Sequence, residues 1–334
     1  MSSAAPSPEE IAQDATWLVQ GLDTPNGVCR LVRMDREAYR AASFLDDRML
    51  GRPLDSRIVE WQTVRGAVAI QPRRDARWIF HIGHVGSTLV ARLLGELDGV
   101  LAVREPRFLR DIAMLGNEDR GEFSSAAQAL FSRTFGEGEL ALVKATSFVS
   151  EIADELVPED GRALFLYARP RAYIASILAG ENSMKELAAL ASSRAQRISG
   201  RAELPQRHNA AEAAALAWAC EMTALESSAT RMEGRHIYWA DFDAMLDAMT
   251  NELINLAQFF GFDAPADRIH GIATGPLIRR YSKALEYEYT PELRRELIAE
   301  AEGENRAEID GALAMLKRAA EKSPLLESAL RRAE

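Results

Sequence analysis

Cysteine is scarce in this 334-residue chain: Cys29 and Cys220 are the only two, far apart and outside any Cys-x-x-Cys pair. That excludes a disulfide framework and a cysteine zinc site, and makes a reducing compartment the expectation. Lysine is scarce too. Of 40 basic residues only Lys144, Lys185, Lys283, Lys317 and Lys322 are lysines. No Gly-Lys-Ser or Gly-Lys-Thr occurs, so a Walker A loop is excluded. No apolar run approaches the roughly 18–20 residues that cross a bilayer, so no membrane insertion is expected. The first ten residues, MSSAAPSPEE, have neither the basic start nor the apolar core of a signal peptide, and a cytoplasmic location is the expectation. Positive charge is in the minority, 40 Lys+Arg against 50 Asp+Glu for a net −10, a field that disfavours nucleic acid and anionic membranes as partners.

What remains is an ordinary globular composition, 47% hydrophobic and 27% charged. Residues 1–74 read as a mostly helical extension. Ser7-Pro8-Glu9-Glu10 is a hydroxyl cap, a proline and acids in a first turn. A short strand is expected over 28–32, after the turn Thr24-Pro25-Asn26-Gly27, and a helix near 35–49. From residue 75 to 334 the pattern changes to short apolar runs at 78–82, 100–103, 140–143, 163–167 and 236–239. They alternate with helical stretches at 87–97, 124–135, 148–156, 172–178 and 209–232. Alternation of this kind predicts an α/β fold, a central parallel sheet with helices on both faces. Thr290-Pro291 and Ser323-Pro324 open further helices. Trp218 and Met222 fall on the core stripe of the 209–232 helix.

The sharpest local signal is Trp78-Ile79-Phe80-His81-Ile82-Gly83-His84-Val85-Gly86-Ser87-Thr88. A strand enters a loop with two glycines, two hydroxyl residues follow, and then a helix. Glycines let the backbone turn sharply, and amides at a helix start converge on one point, which makes Gly83, Val85, Gly86, Ser87 and Thr88 a candidate phosphate cradle. The same residues would also serve a turn chosen for packing. His81 and His84 lie three apart without supporting carboxylates, so no metal site is expected there.

These residues resemble the 5′-phosphosulfate loop of sulfotransferases, Pro-Lys/Arg-Ser-Gly-Thr-Thr after the first strand. Val85-Gly86-Ser87-Thr88 falls on its Ser-Gly-Thr-Thr, and His84 stands where that family carries a cation. A second block, Leu164-Phe165-Leu166-Tyr167-Ala168-Arg169-Pro170 running on to Ser176, resembles the family's strand-end Arg and helix Ser that bind the nucleotide 3′-phosphate. Their separation here is seven residues, against about eight in the family. Taken alone, a strand-end Arg reads more readily as one side of a surface ion pair. A third block, Ile237-Tyr238-Trp239-Ala240-Asp241-Phe242 with Phe259-Phe260-Gly261, resembles the family's late strand and helix, in structural positions.

The resemblance implies a P-loop three-layer fold and transfer of a sulfuryl group from 3′-phosphoadenosine 5′-phosphosulfate (PAPS) to an acceptor hydroxyl or amine, without a metal. Tyrosylprotein sulfotransferases place a catalytic Glu after the second strand and a Lys after the third. Glu105, in Val103-Arg104-Glu105-Pro106, and Lys144, in Val143-Lys144-Ala145, match those places as base and as stabiliser of leaving-group charge. His84 is a possible catalytic helper. Glu105 paired with Arg104 or Arg107, and Lys144 as a strand cap, are the alternatives. Arg280 and Lys283, in Arg279-Arg280-Tyr281-Ser282-Lys283, match a late basic segment that closes over the nucleotide. An ATP-dependent small-molecule kinase and a non-catalytic nucleotide-binding module are the rival functions.

Overall fold

The computed structural model describes residues 4–51, 54–205 and 207–334. Among them, β1 (Trp17–Asp23), β2 (Val28–Arg33) and β3 (Ser56–Glu60) pair antiparallel in that order. A second sheet contains β4 (Arg77–His81), β5 (Val100–Arg104), β6 (Leu140–Lys144), β7 (Arg162–Tyr167) and β8 (His236–Asp241). All its pairings are parallel, and its order is β5-β6-β4-β7-β8. The helices used below are α1 (Pro8–Gln13), α2 (Arg36–Ala41), α3 (Trp61–Ile70), α4 (Ser87–Leu94), α5 (Arg107–Ala113) and α6 (Asn117–Leu130). They continue with α7 (Ala153–Leu156), α8 (Pro170–Leu178), α9 (Glu181–Ala189), α10 (Ala191–Ile198), α11 (Ala210–Arg231) and α12 (Phe242–Asp247).

The parallel strands form where the apolar runs predict them, because a strand covered on both faces has no polar side to show. Trp78, Ile79 and Phe80 of β4 and Ala163 through Leu166 of β7 are fully buried. Phe80, Phe165 and Trp239 are register partners across β4, β7 and β8, and their rings meet edge to face at 5.7 and 4.9 Å. The indole of Trp218 on α11 donates to the Ala168 carbonyl at 2.9 Å, fastening the long helix to the end of β7.

The order of the strands positions the site. From β4 the chain crosses through α4 toward β5, whereas from β6 it crosses in the opposite direction to β7. Right-handed crossovers then place these connections on opposite faces of the sheet, so a crevice opens at the carboxyl end of β4. The α/β expectation with a central parallel sheet holds.

The N-terminal segment is not built of helices alone. Alongside α1, α2 and α3 the chain builds a three-stranded antiparallel sheet, of which only β2 matches an expected strand. β1 carries a register shift between Val19 and Gly21, which breaks its alternation, and β3 buries only Val59. Neither has a strand period to read. The hydroxyl caps are as expected: Ser7, Thr290 and Ser323 accept from the amides of Glu10, Leu293 and Leu326.

Two buried arginines join this segment to the parallel sheet. Arg133 donates to the carbonyls of Leu130, Ile11 and Trp17, and Arg104 to those of Tyr39, Arg40 and Ala42. Arg133→Met keeps the bulk but leaves buried carbonyls unpaired, so a loss of about 3 kcal/mol is expected. Urea unfolding followed by both tryptophan fluorescence and far-ultraviolet dichroism measures it. The two probes should move together if the segment and the sheet share one core.

Candidate functional site

A cleft of about 570 Å³ lies at the carboxyl ends of β4, β5 and β6. One wall is the loop after β4. Gly83 (φ 81°), His84 (φ 55°) and Gly86 (φ 61°) are all left-handed, which turns the chain sharply before α4 begins. At Gly86 a Cβ would lie 1.9 Å from the ring of Phe242 on α12, so both the φ and the packing demand glycine.

The amides of His84, Val85, Gly86, Ser87 and Thr88 have no hydrogen-bond acceptor among the described residues. A helix start leaves its first N–H groups open in this way, with the positive end of the dipole behind them. Gly83, His84, Gly86, Ser87 and Thr88 line the cleft, so the open amides gather beside two hydroxyls. Val85 itself is buried in the core.

His81, at the end of β4, braces this loop. Its Nδ1 accepts from the Gly83 amide at 2.9 Å, so Nε2 bears the proton and meets the Ala145 carbonyl at 3.0 Å. Burial, reinforced by the nearby Lys144 ammonium, holds this imidazole well below the usual histidine range and therefore neutral. The sequence marks His81 only as a strand residue; its bracing role depends on Ala145, from a neighbouring strand.

Glu105 and Lys144 come together on the floor. They follow and end adjacent strands, and the Glu105 amide donates to the Lys144 carbonyl at 2.7 Å. The Lys144 ammonium, 1% exposed, is hydrogen-bonded to Glu105 Oε1. Glu105 Oε2 accepts from Arg48 at 2.8 Å, and the Arg48 guanidinium lies 3.3 Å from the centre of the Phe44 ring. Burial lowers the proton affinity of Lys144, and Glu105 opposes that shift. Among the described residues Glu105 is one of three non-glycines with positive φ, at 51°, held there between strand and helix. Its partners are Lys144 and Arg48. Arg104 points to the N-terminal carbonyls, and Arg107 binds Asp47 and Asp111.

His84 turns its ring toward α9, with Nε2 3.2 Å from Glu186 Oε1 and Nδ1 3.3 Å from Ser183 Oγ. The hydrogen bond from His84 holds the Glu186 carboxyl down to about 2, with Lys283 and Arg194 adding to the effect.

A smaller cleft of about 150 Å³ shares His84, Gly86, Ser282 and Lys283 with the large one and is lined also by Ser176, Arg280 and Arg294. Arg280 and Lys283 are exposed and have no carboxylate partner among the described residues. Arg169 is not brought to either cleft. It is 59% exposed, and its Nε donates to Asp241 Oδ2 at 3.0 Å. The sequence reading missed Arg48, Glu186, Arg194, Arg197 and Glu221, whose places in the large cleft depend on distant partners.

No known family profile matches the chain, and no curated protein does. Several solved structures bear a likeness to it, among them two sulfotransferase domains. One is a sulfotransferase domain from the curacin biosynthetic pathway: 11% identity, TM-score 0.43, covering 66% of this chain and 86% of that one. The other is a sulfotransferase domain from the Synechococcus PCC 7002 olefin synthase: 14% identity, TM-score 0.39, covering 67% of this chain and 87% of that one.

Two outcomes test this geometry. Gly86→Ala should cost about 2–4 kcal/mol, from the left-handed φ and the clash with Phe242 together, read from the urea midpoint. The depressed affinity of His81 means that the unfolded chain binds its proton first. Stability from His81 is therefore complete above the ordinary histidine pKa of 6.5 and declines as pH falls below it. The stability difference between wild type and His81→Gln should accordingly shrink between pH 7.5 and pH 5.

Proposed function

We propose that the chain is a sulfotransferase that uses PAPS and passes its sulfuryl group to an acceptor hydroxyl or amine. The observation that carries this reading is the convergence of the open amides of His84, Gly86, Ser87 and Thr88, a buried lysine and a glutamate on one cleft. The loop likeness and the places of Glu105 and Lys144 after the second and third parallel strands support the same reading.

The residues present fit such a donor. The amides of 84–88 with the Ser87 and Thr88 hydroxyls suit a 5′-phosphosulfate. Ser176, Arg280 and Lys283, beside the same loop, suit the 3′-phosphate. Glu105 takes the acceptor proton as the acceptor oxygen or nitrogen attacks sulfur. Lys144 and the loop amides meet the charge that gathers on the bridging oxygen as its bond to sulfur breaks. Lys144 thereby supplies, from β6, the cation that His84 does not bring to the loop. Until the acceptor arrives, the Lys144 ammonium and Arg48 hold the Glu105 side chain in place, one on each carboxylate oxygen.

Calorimetry with adenosine 3′,5′-bisphosphate, ADP and ATP with Mg²⁺ tests this. The bisphosphate should bind best. Arg280→Ala should weaken it by about tenfold, a loss of about 1.4 kcal/mol, and ADP by less than threefold. Arg169→Ala, which removes a guanidinium already committed to Asp241, should change the bisphosphate by less than threefold. Preference for ATP with Mg²⁺ would favour the kinase. In turnover, Glu105→Gln and Lys144→Met should each lower kcat by about 10²–10⁴-fold. Unaltered turnover in both would remove the assignment.

A further inference from the structure

The large cleft extends beyond Glu105 into a part that the donor reading does not use. Phe44 stands beside the reactive pair, its ring 6.0 Å from Lys144 Nζ. Phe148 lies further along, 5.0 Å from the Arg197 guanidinium. The rim carries Met114, at the end of α5 and 72% exposed, and Leu190, between α9 and α10 and 39% exposed. Two large apolar side chains left in water at the mouth of one cleft mark a binding surface more than a folding need.

The charges beneath this part cancel. Arg194 and Arg197 of α10 and Arg201 face Glu151, Glu186 and Glu221, three cations against three carboxylates. A charged acceptor would gain no net attraction there and would lose its hydration. One donor is left over: Nη2 of Arg194, a residue only 2% exposed, has no hydrogen-bond partner among the described residues, with Glu186 Oε1 3.6 Å away. A buried open N–H wants an oxygen acceptor, and a neutral one suffices.

We propose that this part of the cleft takes an uncharged acceptor with an apolar body, a phenol or an alkanol. Its hydroxyl meets Glu105, its body lies between Phe44, Phe148, Met114 and Leu190, and any second neutral oxygen meets Arg194. The choice of hydroxyl rests on the sulfuryl-transfer reading; the apolar site itself rests on the walls.

The test is calorimetric titration of the whole chain with 4-alkylphenols from methyl to butyl, with and without adenosine 3′,5′-bisphosphate. Affinity should rise about fourfold per methylene, as full burial of each CH₂ requires. Met114→Asp and Leu190→Asp, at exposed positions that leave folding intact, should flatten that rise while the bisphosphate Kd stays put. A 4-acylphenol should bind more tightly than the alkylphenol of equal length, and Arg194→Lys should erase that advantage. A flat series in the wild type, or tighter binding of 4-hydroxybenzoate or sorbitol than of 4-butylphenol, overturns the proposal. A rising series without bisphosphate binding leaves the apolar site standing and removes the sulfuryl-transfer reading. Bisphosphate binding with a flat series does the reverse.

Discussion

The buried pair of Lys144 and Glu105 is the constraint on which the rest of the site depends. An ammonium with almost no water around it survives only beside a carboxylate, and removing either partner would leave an uncompensated charge costing about 3–5 kcal/mol. The two residues sit at the ends of neighbouring parallel strands, so the pair fixes β5 against β6 at the sheet edge where ligands bind. Through Arg48 it reaches the N-terminal segment, and its ammonium adds to the burial that keeps neutral the imidazole bracing the loop after β4. An apolar pair of the same volume would pack at least as well. Stability alone therefore does not account for placing charge there.

The loop shows a complementary economy. Its glycines and helix start provide donors that need no side chain, so it offers positive potential without a fixed cation. His84, where a cation might stand, spends its ring on Ser183 and Glu186 and so ties the loop to α9 instead. On the sulfuryl-transfer reading the cation comes from β6. Strong electrostatic stabilisation of developing charge requires donors already in place before reaction, and a lysine locked at a strand end meets that requirement better than one on a mobile loop.

How much of this was legible in the sequence depends on whether a signal is local. Trp78 to Phe80 and Ala163 to Leu166 read as strands because burial on both faces leaves a continuous apolar run. The glycine loop and the hydroxyl-proline caps read correctly because their chemistry lies within four residues. Glu105 and Lys144 were legible as residues at strand ends, whereas their direct contact needed the β5–β6 register. β1 was hidden by its bulge and β3 by its exposure. Helices α9 and α10 were hidden for a different reason: α10 buries Arg194 and Ile198, and an arginine is buried only because Glu221 waits on α11. Arg169 shows the converse. A guanidinium after a strand reads as an anion contact, but β8 runs beside β7 with Asp241 opposite Tyr167, and that carboxylate claims it.

The arginine–glutamate network under α10 has a cost that apolar packing would avoid, since buried ion pairs recover little more than their desolvation. What it supplies is geometry and a flat field. Arg197 and Arg201 share Glu151, and Arg194 and Arg197 share Glu221, so each side chain is held from more than one direction. Helix α10 is thereby held over the cleft without closing it by apolar collapse. A donor with several negative charges needs strong positive potential at the loop, but that potential, if it extended across the whole cleft, would draw anions into the acceptor's place. Pairing Arg194, Arg197 and Arg201 with Glu151, Glu186 and Glu221 confines the attraction to the loop side, which on the proposed reading lets a single cleft hold a polyanion at one end and an uncharged, apolar molecule at the other.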